Sequence, residues 1–198
     1  APFLCIDCNE PIRDTRGVSS SRSATVATPR SPLEAARALA PMIAERADDI
    51  DAARELPREV FAALADAGMF HIGIPRALGG GELDMPPWAM VMEELGKADA
   101  STAWAVNQGA NFATISARMP PDIARAIWID TPRSVVSNSP AATGRAVVVP
   151  GGYRVTARQG FSTGCRHASY VAAHCQVMQD GKARTLEDGS VEARYVFV

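Results

Sequence analysis

The chain has 198 residues, 47% of them hydrophobic, a formal net charge of −2 and a pI near 5.9. That length can bury two small cores, and the charge balance excludes a sequence-independent nucleic-acid binder, which needs a basic face for phosphates. No apolar run reaches the roughly 18 residues of a membrane span, and Ala1-Pro2-Phe3-Leu4-Cys5-Ile6 is too short for a signal peptide, so a cytoplasmic protein that inserts in no membrane is expected.

Residues 1–30 read as a disordered leader: from Arg13 to Pro32 the chain is rich in Ser, Thr, Arg and Pro and poor in large apolar side chains. Cys5 and Cys8 form a CxxC with no second CxxC after it, so no four-cysteine zinc site is expected. Order begins at Ser31-Pro32-Leu33-Glu34, a capping-box helix start with Pro at the first helical position. Ala36, Leu39, Ala40, Ile43, Ala47 and Ile50 continue at helical spacing, with a kink expected at Pro41. A second helix is predicted from Pro57 to Ala67, carrying Val60, Phe61 and Leu64 and ended by Gly68. Met69 to Asp84 reads as a loop with a short extended piece at 70–74. Its Gly79-Gly80-Gly81 lacks the following Lys-Ser/Thr of a phosphate loop and reads as a plain turn. A third helix follows Asp84 with Trp88, Val91, Met92 and Leu95. A fourth runs from Ser101 to Ala117 with Trp104, Val106, Phe112 and Ile115, and a short one spans Asp122 to Ile129.

Beyond Pro132 the pattern turns to strands. Ser134 to Ser137 is one; Arg145–Pro150 and Tyr153–Ala157 form a hairpin about Gly151-Gly152; Tyr170–Val177, a turn at Asp180-Gly181, and Ala193–Val198 follow. The fold class is therefore α+β: a disordered leader (1–30), an N-terminal all-helical domain (31–132) and an incomplete antiparallel β-barrel-like middle domain (133–198). The last strand leaves Tyr195-Val196-Phe197-Val198 at an edge, and we expect the chain to be a fragment of a longer protein. Cys165, His167, His174 and Cys175 cluster in sequence, but strand alternation sends His174 and Cys175 to opposite faces; no metal site and no disulfide are expected.

Several segments carry a family resemblance. Leu56-Pro57-Arg58-Glu59-Val60-Phe61 through Ala67-Gly68-Met69-Phe70, then Ile74-Pro75 and Gly79-Gly80-Gly81, resembles the early helical part of acyl-CoA dehydrogenases. Glu93-Glu94-Leu95-Gly96-Lys97-Ala98-Asp99-Ala100-Ser101-Thr102-Ala103-Trp104 is similar to the helix pair that follows there. Ser137 to Gly144 stands where the family carries its first flavin-contacting loop, and Gly160-Phe161-Ser162-Thr163-Gly164 where it carries the second. The resemblance implies FAD, with FMN possible, held by Ser137, Ser139, Phe161, Ser162, Thr163 and Gly164, and a substrate pocket with Trp104 and Asn107. Read alone, without the resemblance, 160–164 is a plain hairpin or loop whose Ser and Thr satisfy their own backbone. Arg166 and His167 read either as ligands of a pyrophosphate or carboxylate or as solvated strand-edge residues.

The implied activity is removal of a proton and a hydride from adjacent carbons of an acyl-CoA-like substrate. Two alternatives stay open: a two-component flavin-dependent monooxygenase hydroxylating an aromatic or similar substrate, and an inactive truncated binding module. Phe161-Ser162-Thr163-Gly164-Cys165-Arg166-His167-Ala168 is closer to the hydroxylase-like branch. Gln159 replaces the family's Trp, and the helix of Asn107, Gln108 and Asn111 lacks that branch's His. The family's catalytic Glu lies in a C-terminal helical domain expected to be absent here, so no catalytic base is assigned. The resemblance further implies a small-molecule substrate, a homo-oligomer in the full-length form and a flavin reductase or electron-transfer partner.

Overall fold

The computed structural model describes residues 31–198; the expected leader and the Cys5/Cys8 pair lie outside the described residues. Helix α1(Pro32–Glu45) starts on the expected capping box: the Glu34 N–H donates to Ser31 Oγ at 3.2 Å and the Ser31 N–H to the Glu34 carboxylate at 3.0 Å. Pro41 lies inside this helix on its exposed side, where the freed carbonyl is open to solvent rather than buried. The helix continues past Pro41 and breaks at Arg46 (φ −105°, ψ 4°), after which α2(Ala47–Ala53) begins. Helix α3(Arg58–Asp66) ends before Gly68, which takes φ +72°.

The 69–84 segment holds no strand; it forms 3-10 turns at Met69–His71 and Arg76–Leu78. Phe70, Ile72 and Ile74 are buried at every second position, the burial pattern of a strand, but the backbone meets it with 3-10 turns, and Met69 and Leu78 are buried beside them. The glycines do more than turn. A Cβ on Gly80 would stand 2.3 Å from the Ile74 carbonyl oxygen, so only glycine lets the two backbones meet. The returning strand of chain donates from Gly80, Gly81 and Leu83 to the carbonyls of Pro75, His71 and Ile72 at 3.1, 3.0 and 2.8 Å.

Helix α4(Met85–Ala98) packs on both α1 and α5(Ala100–Ala113), which Asp99 caps. The final residues of the expected fourth helix tighten into a 3-10 turn (Thr114–Arg118) before α6(Pro121–Trp128). Ile43, Val60, Leu64, Val91, Leu95 and Val106 make the centre of this helical core. Among the described residues no helix is long and apolar enough to cross a membrane.

The sheet is built on β4(Tyr170–Gln179). Strands β1(Val136–Asn138) and β2(Gly144–Val149) pair with one edge in parallel, and β5(Lys182–Ala183) and β6(Ala193–Phe197) with the other, antiparallel. Strand β3(Gly152–Thr156) pairs antiparallel with β2. The sheet is thus mixed rather than purely antiparallel, and it does not close into a barrel. Local alternation carries no strand direction, which is why the parallel pairs escape it. Asn138 faces Ala172 and Gly144 faces Cys175, so β1 and β2 are one interrupted strand from which 139–143 bulges. Val149 pairs with Gly152, placing the hairpin turn at Pro150-Gly151 instead of Gly151-Gly152; Pro pre-sets the first turn residue and Gly151 takes φ +81°. Asp180-Gly181 turns as expected, with φ +50° and +79°.

One sheet face meets the helices through Phe112 edge-on to Tyr195 (5.1 Å) and Trp128 edge-on to Phe197 (5.9 Å). The other face carries Ala146, Ala173, Cys175 and Val196. Between them, segment 157–169 carries the chain past β2 to the start of β4, and in doing so reaches the helices.

Candidate functional site

The site grows from that crossing segment. After β3 the Gln159 amide donates to the His174 carbonyl at 3.4 Å, and Phe161 follows at φ +57° with its ring 95% exposed. Ser162 to His167 then forms a compact turn. The Cys165 N–H donates to the Ser162 carbonyl at 3.2 Å, the His167 N–H to that of Gly164 at 3.0 Å, and Gly164 takes φ +74°.

This turn docks on the corner between α2 and α3. Arg166 Nη1 lies 2.9 Å from Glu55 Oε2. His167 Nε2 lies 2.8 Å from the Leu56 carbonyl, which can only accept, so that nitrogen carries the hydrogen. The His167 ring also stacks on Phe61, with centroids 4.6 Å apart and planes 12° from parallel. Nearby, Arg133 forks onto Asp66 with two bonds of 2.7 Å, which holds the Asp66 carboxyl below its ordinary range.

Docking encloses an open cavity of about 610 Å³ between the turn, the α2–α3 corner and α5. Ile50, Arg54 and Leu56 form one wall, Ser101, Trp104 and Ala105 a second, and Ser162, Thr163 and Gly164 a third. Trp104 leaves 57% of its surface uncovered by its own fold, an apolar aromatic face open to a planar ligand. Arg166 and Glu55 neutralise each other, while Arg54 and Asp51 put one charge of each sign on the rim. A recess of about 340 Å³ on the sheet face, lined by Val155, Gln159, Val171 and Ala173, shares Ser162 and Cys165 with the 610 Å³ cavity.

Of the sequence-predicted residues, Ser162, Thr163, Gly164 and Trp104 come together on the cavity. Ser137 is buried behind them; its hydroxyl donates to the Thr163 carbonyl at 3.2 Å and props the turn. Ser139 is buried, with its carbonyl accepting from the Tyr195 hydroxyl at 3.5 Å. Phe161 points into solvent instead of covering this cavity. Asn107 is engaged elsewhere: its side-chain oxygen accepts the Trp88 indole N–H at 3.0 Å, a partner that a buried tryptophan needs. Arg166 and His167 both reach the helices, Arg166 while staying largely exposed and His167 half-buried.

Leu56, Phe61 and Ser101 stand out in the sequence only as helix and motif residues, not as site residues, and Glu55 not at all. The contacts of Arg166 and His167 cross 111 positions, and nothing local to either end announces them. Cys165, His167, His174 and Cys175 do not gather: His174 turns to the Pro140 carbonyl (3.0 Å), and burial pushes the Cys175 thiol up from its ordinary pKa. Among the described residues no three His, Cys, Asp or Glu side chains converge as metal ligands would.

Comparison with known proteins follows the same outline. Residues 33–119 match the family described as "Acyl-CoA dehydrogenase, N-terminal domain". The oxygenase component of p-hydroxyphenylacetate 3-hydroxylase from Acinetobacter baumannii is 31% identical over 140 residues, covering 71% of this chain and 33% of that protein. The flavin-dependent monooxygenase oxygenase subunit HsaA from Mycobacterium tuberculosis is 31% identical over 157 residues, covering 77% of this chain and 39% of that protein. A crystal structure of that HsaA monooxygenase superposes with a TM-score of 0.67, covering 77% of this chain and 40% of its own. The chain therefore spans between a third and two fifths of the length of these relatives. They are hydroxylating oxygenases, so the expected acyl-CoA dehydrogenation finds no support in them and the hydroxylase alternative does.

Proposed function

We propose that this chain, whose residues 33–119 are an acyl-CoA dehydrogenase N-terminal domain, is part of the oxygenase component of a two-component flavin-dependent monooxygenase that hydroxylates a planar aromatic substrate. The observation that carries the reading is the cavity in which the Ser162–Gly164 turn faces the uncovered Trp104 ring across the α2–α3 corner. Kinship with two oxygenase components at 31% identity supports the reaction class.

The residues present fit a flavin edge. An isoalloxazine ring needs hydroxyl or amide partners along its polar rim and apolar cover on its faces. Ser162 and Thr163 offer hydroxyls, and Gly164 at φ +74° has no atom within 4 Å of where a Cβ would stand, leaving open space beside the backbone. Either FAD or FMN satisfies this chemistry. Bound reduced flavin supplies the electrons with which dioxygen delivers one oxygen atom to the substrate and the other to water.

The chain's own part is to bind and orient. Trp104 stacks on the substrate ring; Ile50, Leu56 and Ala105 displace water from its faces. Ser137 fixes the Thr163 carbonyl, so the Ser162–Thr163 edge meets the flavin without first reorganising. The partner is a flavin reductase that supplies the reduced cofactor, and the compartment is the cytoplasm.

An anaerobic titration separates this reading from dehydrogenation. The oxygenase reading predicts that the chain binds dithionite-reduced FMN or FAD at least tenfold more tightly than the oxidised form. Tighter binding of oxidised flavin, with bleaching on addition of an acyl-CoA, would overturn it.

A further inference from the structure

Two side-chain contacts hold the 162–167 turn on the helical layer and a third holds the chain nearby, and they are not equal. In the Arg166–Glu55 pair Arg166 is 67% exposed and Glu55 35%, so solvent and salt leave it little net strength. Arg133–Asp66 is bidentate but grips the chain ahead of β1, away from the turn itself. His167 alone combines a 2.8 Å bond to a backbone carbonyl with a parallel ring stack, both part-buried and both on the α2–α3 corner. The glycines around it provide no competing grip: Gly160 and Gly164 have no neighbour within 4 Å of a Cβ position. Within the turn the backbone bonds from Cys165 to Ser162 and from His167 to Gly164 give it shape but tie it to nothing outside.

We propose that His167 is a positioning residue: its bond to the Leu56 carbonyl and its stack on Phe61 set the separation between the Ser162–Gly164 edge and the α2–α3 corner, and with it the width of the cavity. The Leu56 carbonyl belongs to the same residue whose side chain lines that cavity, so the bond couples the two walls directly. Loss of the latch lets the turn swing about β3 and β4 while both cores stay intact. The bond counts for more than the stack, because only the bond is directional. This inference rests on the proposed flavin reading only for the ligand it names; the latch itself is a property of the folded chain.

The test uses His167→Ala, which removes bond and stack, and His167→Gln, whose amide reaches about the position of Nε2 and can donate to the Leu56 carbonyl without stacking. Amide hydrogen exchange is followed in peptides covering 159–169 and, as a reference, in α4 and β4. Binding of oxidised and dithionite-reduced FMN and FAD is followed by quenching of tryptophan emission. In His167→Ala the 159–169 amides exchange at least tenfold faster, α4 and β4 change less than twofold, and reduced-flavin affinity falls about tenfold. His167→Gln returns both to within threefold of the unsubstituted chain. Exchange of 159–169 that stays within twofold in His167→Ala overturns the latch, as does a His167→Gln chain that behaves like His167→Ala. If neither flavin binds any of the three chains but loop exchange still accelerates and is rescued, the latch stands and the flavin reading falls.

Discussion

The two glycine-bearing crossings, 69–84 and 157–169, differ in what holds them. The first closes on itself: Gly80 touches the Ile74 backbone, four amides from Gly80 to Leu83 donate back into 71–75, and Ile72, Ile74 and Leu78 are buried beneath. The second is held from outside. Its glycines meet nothing, Phe161 is in solvent, and its place is set by side chains that reach α2, α3 and β1. A segment that satisfies itself reads as structure. A segment positioned by remote partners, with hydroxyls facing a cavity, reads as a site.

The contrast breaks first at Gly80. Gly80→Ala forces a Cβ against backbone that cannot retreat, and a loss of about 3 kcal/mol in urea unfolding is expected. The cost would be much smaller if 69–84 were held as loosely as 157–169.

Two glutamates extend the comparison. Glu192 is 8% exposed and bracketed by Arg184 and Arg194, which hold its carboxyl at about 2, against an ordinary value of 4.5. Because the folded-state pKa is the lower, the stabilisation is full above about pH 4.5 and is lost as pH falls toward 2. Glu192→Gln is expected to cost about 2 kcal/mol at pH 7, a difference that shrinks between pH 4.5 and pH 2 in urea midpoints taken across that range. Glu55→Gln, at the exposed pair of the outer segment, costs under about 0.5 kcal/mol at any of these pH values.

Trp104→Ala tests the site without the fold. Its ring is more than half exposed, so unfolding midpoints stay within about 0.5 kcal/mol. Quenching of the remaining tryptophans by a phenol or an indole weakens about tenfold, the loss of one aromatic stack (about 1 kcal/mol or slightly more). Smallest of all is Gly160→Ala: φ is not in the left-handed region and no atom lies within 4 Å, so stability moves by less than about 0.5 kcal/mol.

What could be seen in the sequence follows the same division. Ser31 with Glu34, Gly68, and Asp180-Gly181 act within four residues of themselves, and each stands as read. The 70–74 piece misled because Phe70, Ile72 and Ile74 are buried in true alternation, while their backbone is turned and tied to the amides returning from 80–83. Strand direction about β4 was hidden, because alternation is the same for parallel and antiparallel partners. At the site, Ser162 to Gly164 and Trp104, picked out by motif position, line one cavity. Asn107 and Ser139 were not separable from them, since their engagement with Trp88 and Tyr195 depends on partners far along the chain. The corner at Glu55, Leu56 and Phe61 was invisible for the same reason.

The most direct measurement is a hydrogen-exchange footprint of the chain with and without saturating reduced FMN. Protection confined to 159–168, 50–56 and 100–105, with 69–84 unchanged, is the predicted result. Saturable flavin binding that leaves all three of those segments unprotected would contradict the assignment of the 162–164 turn and its cavity as the ligand site.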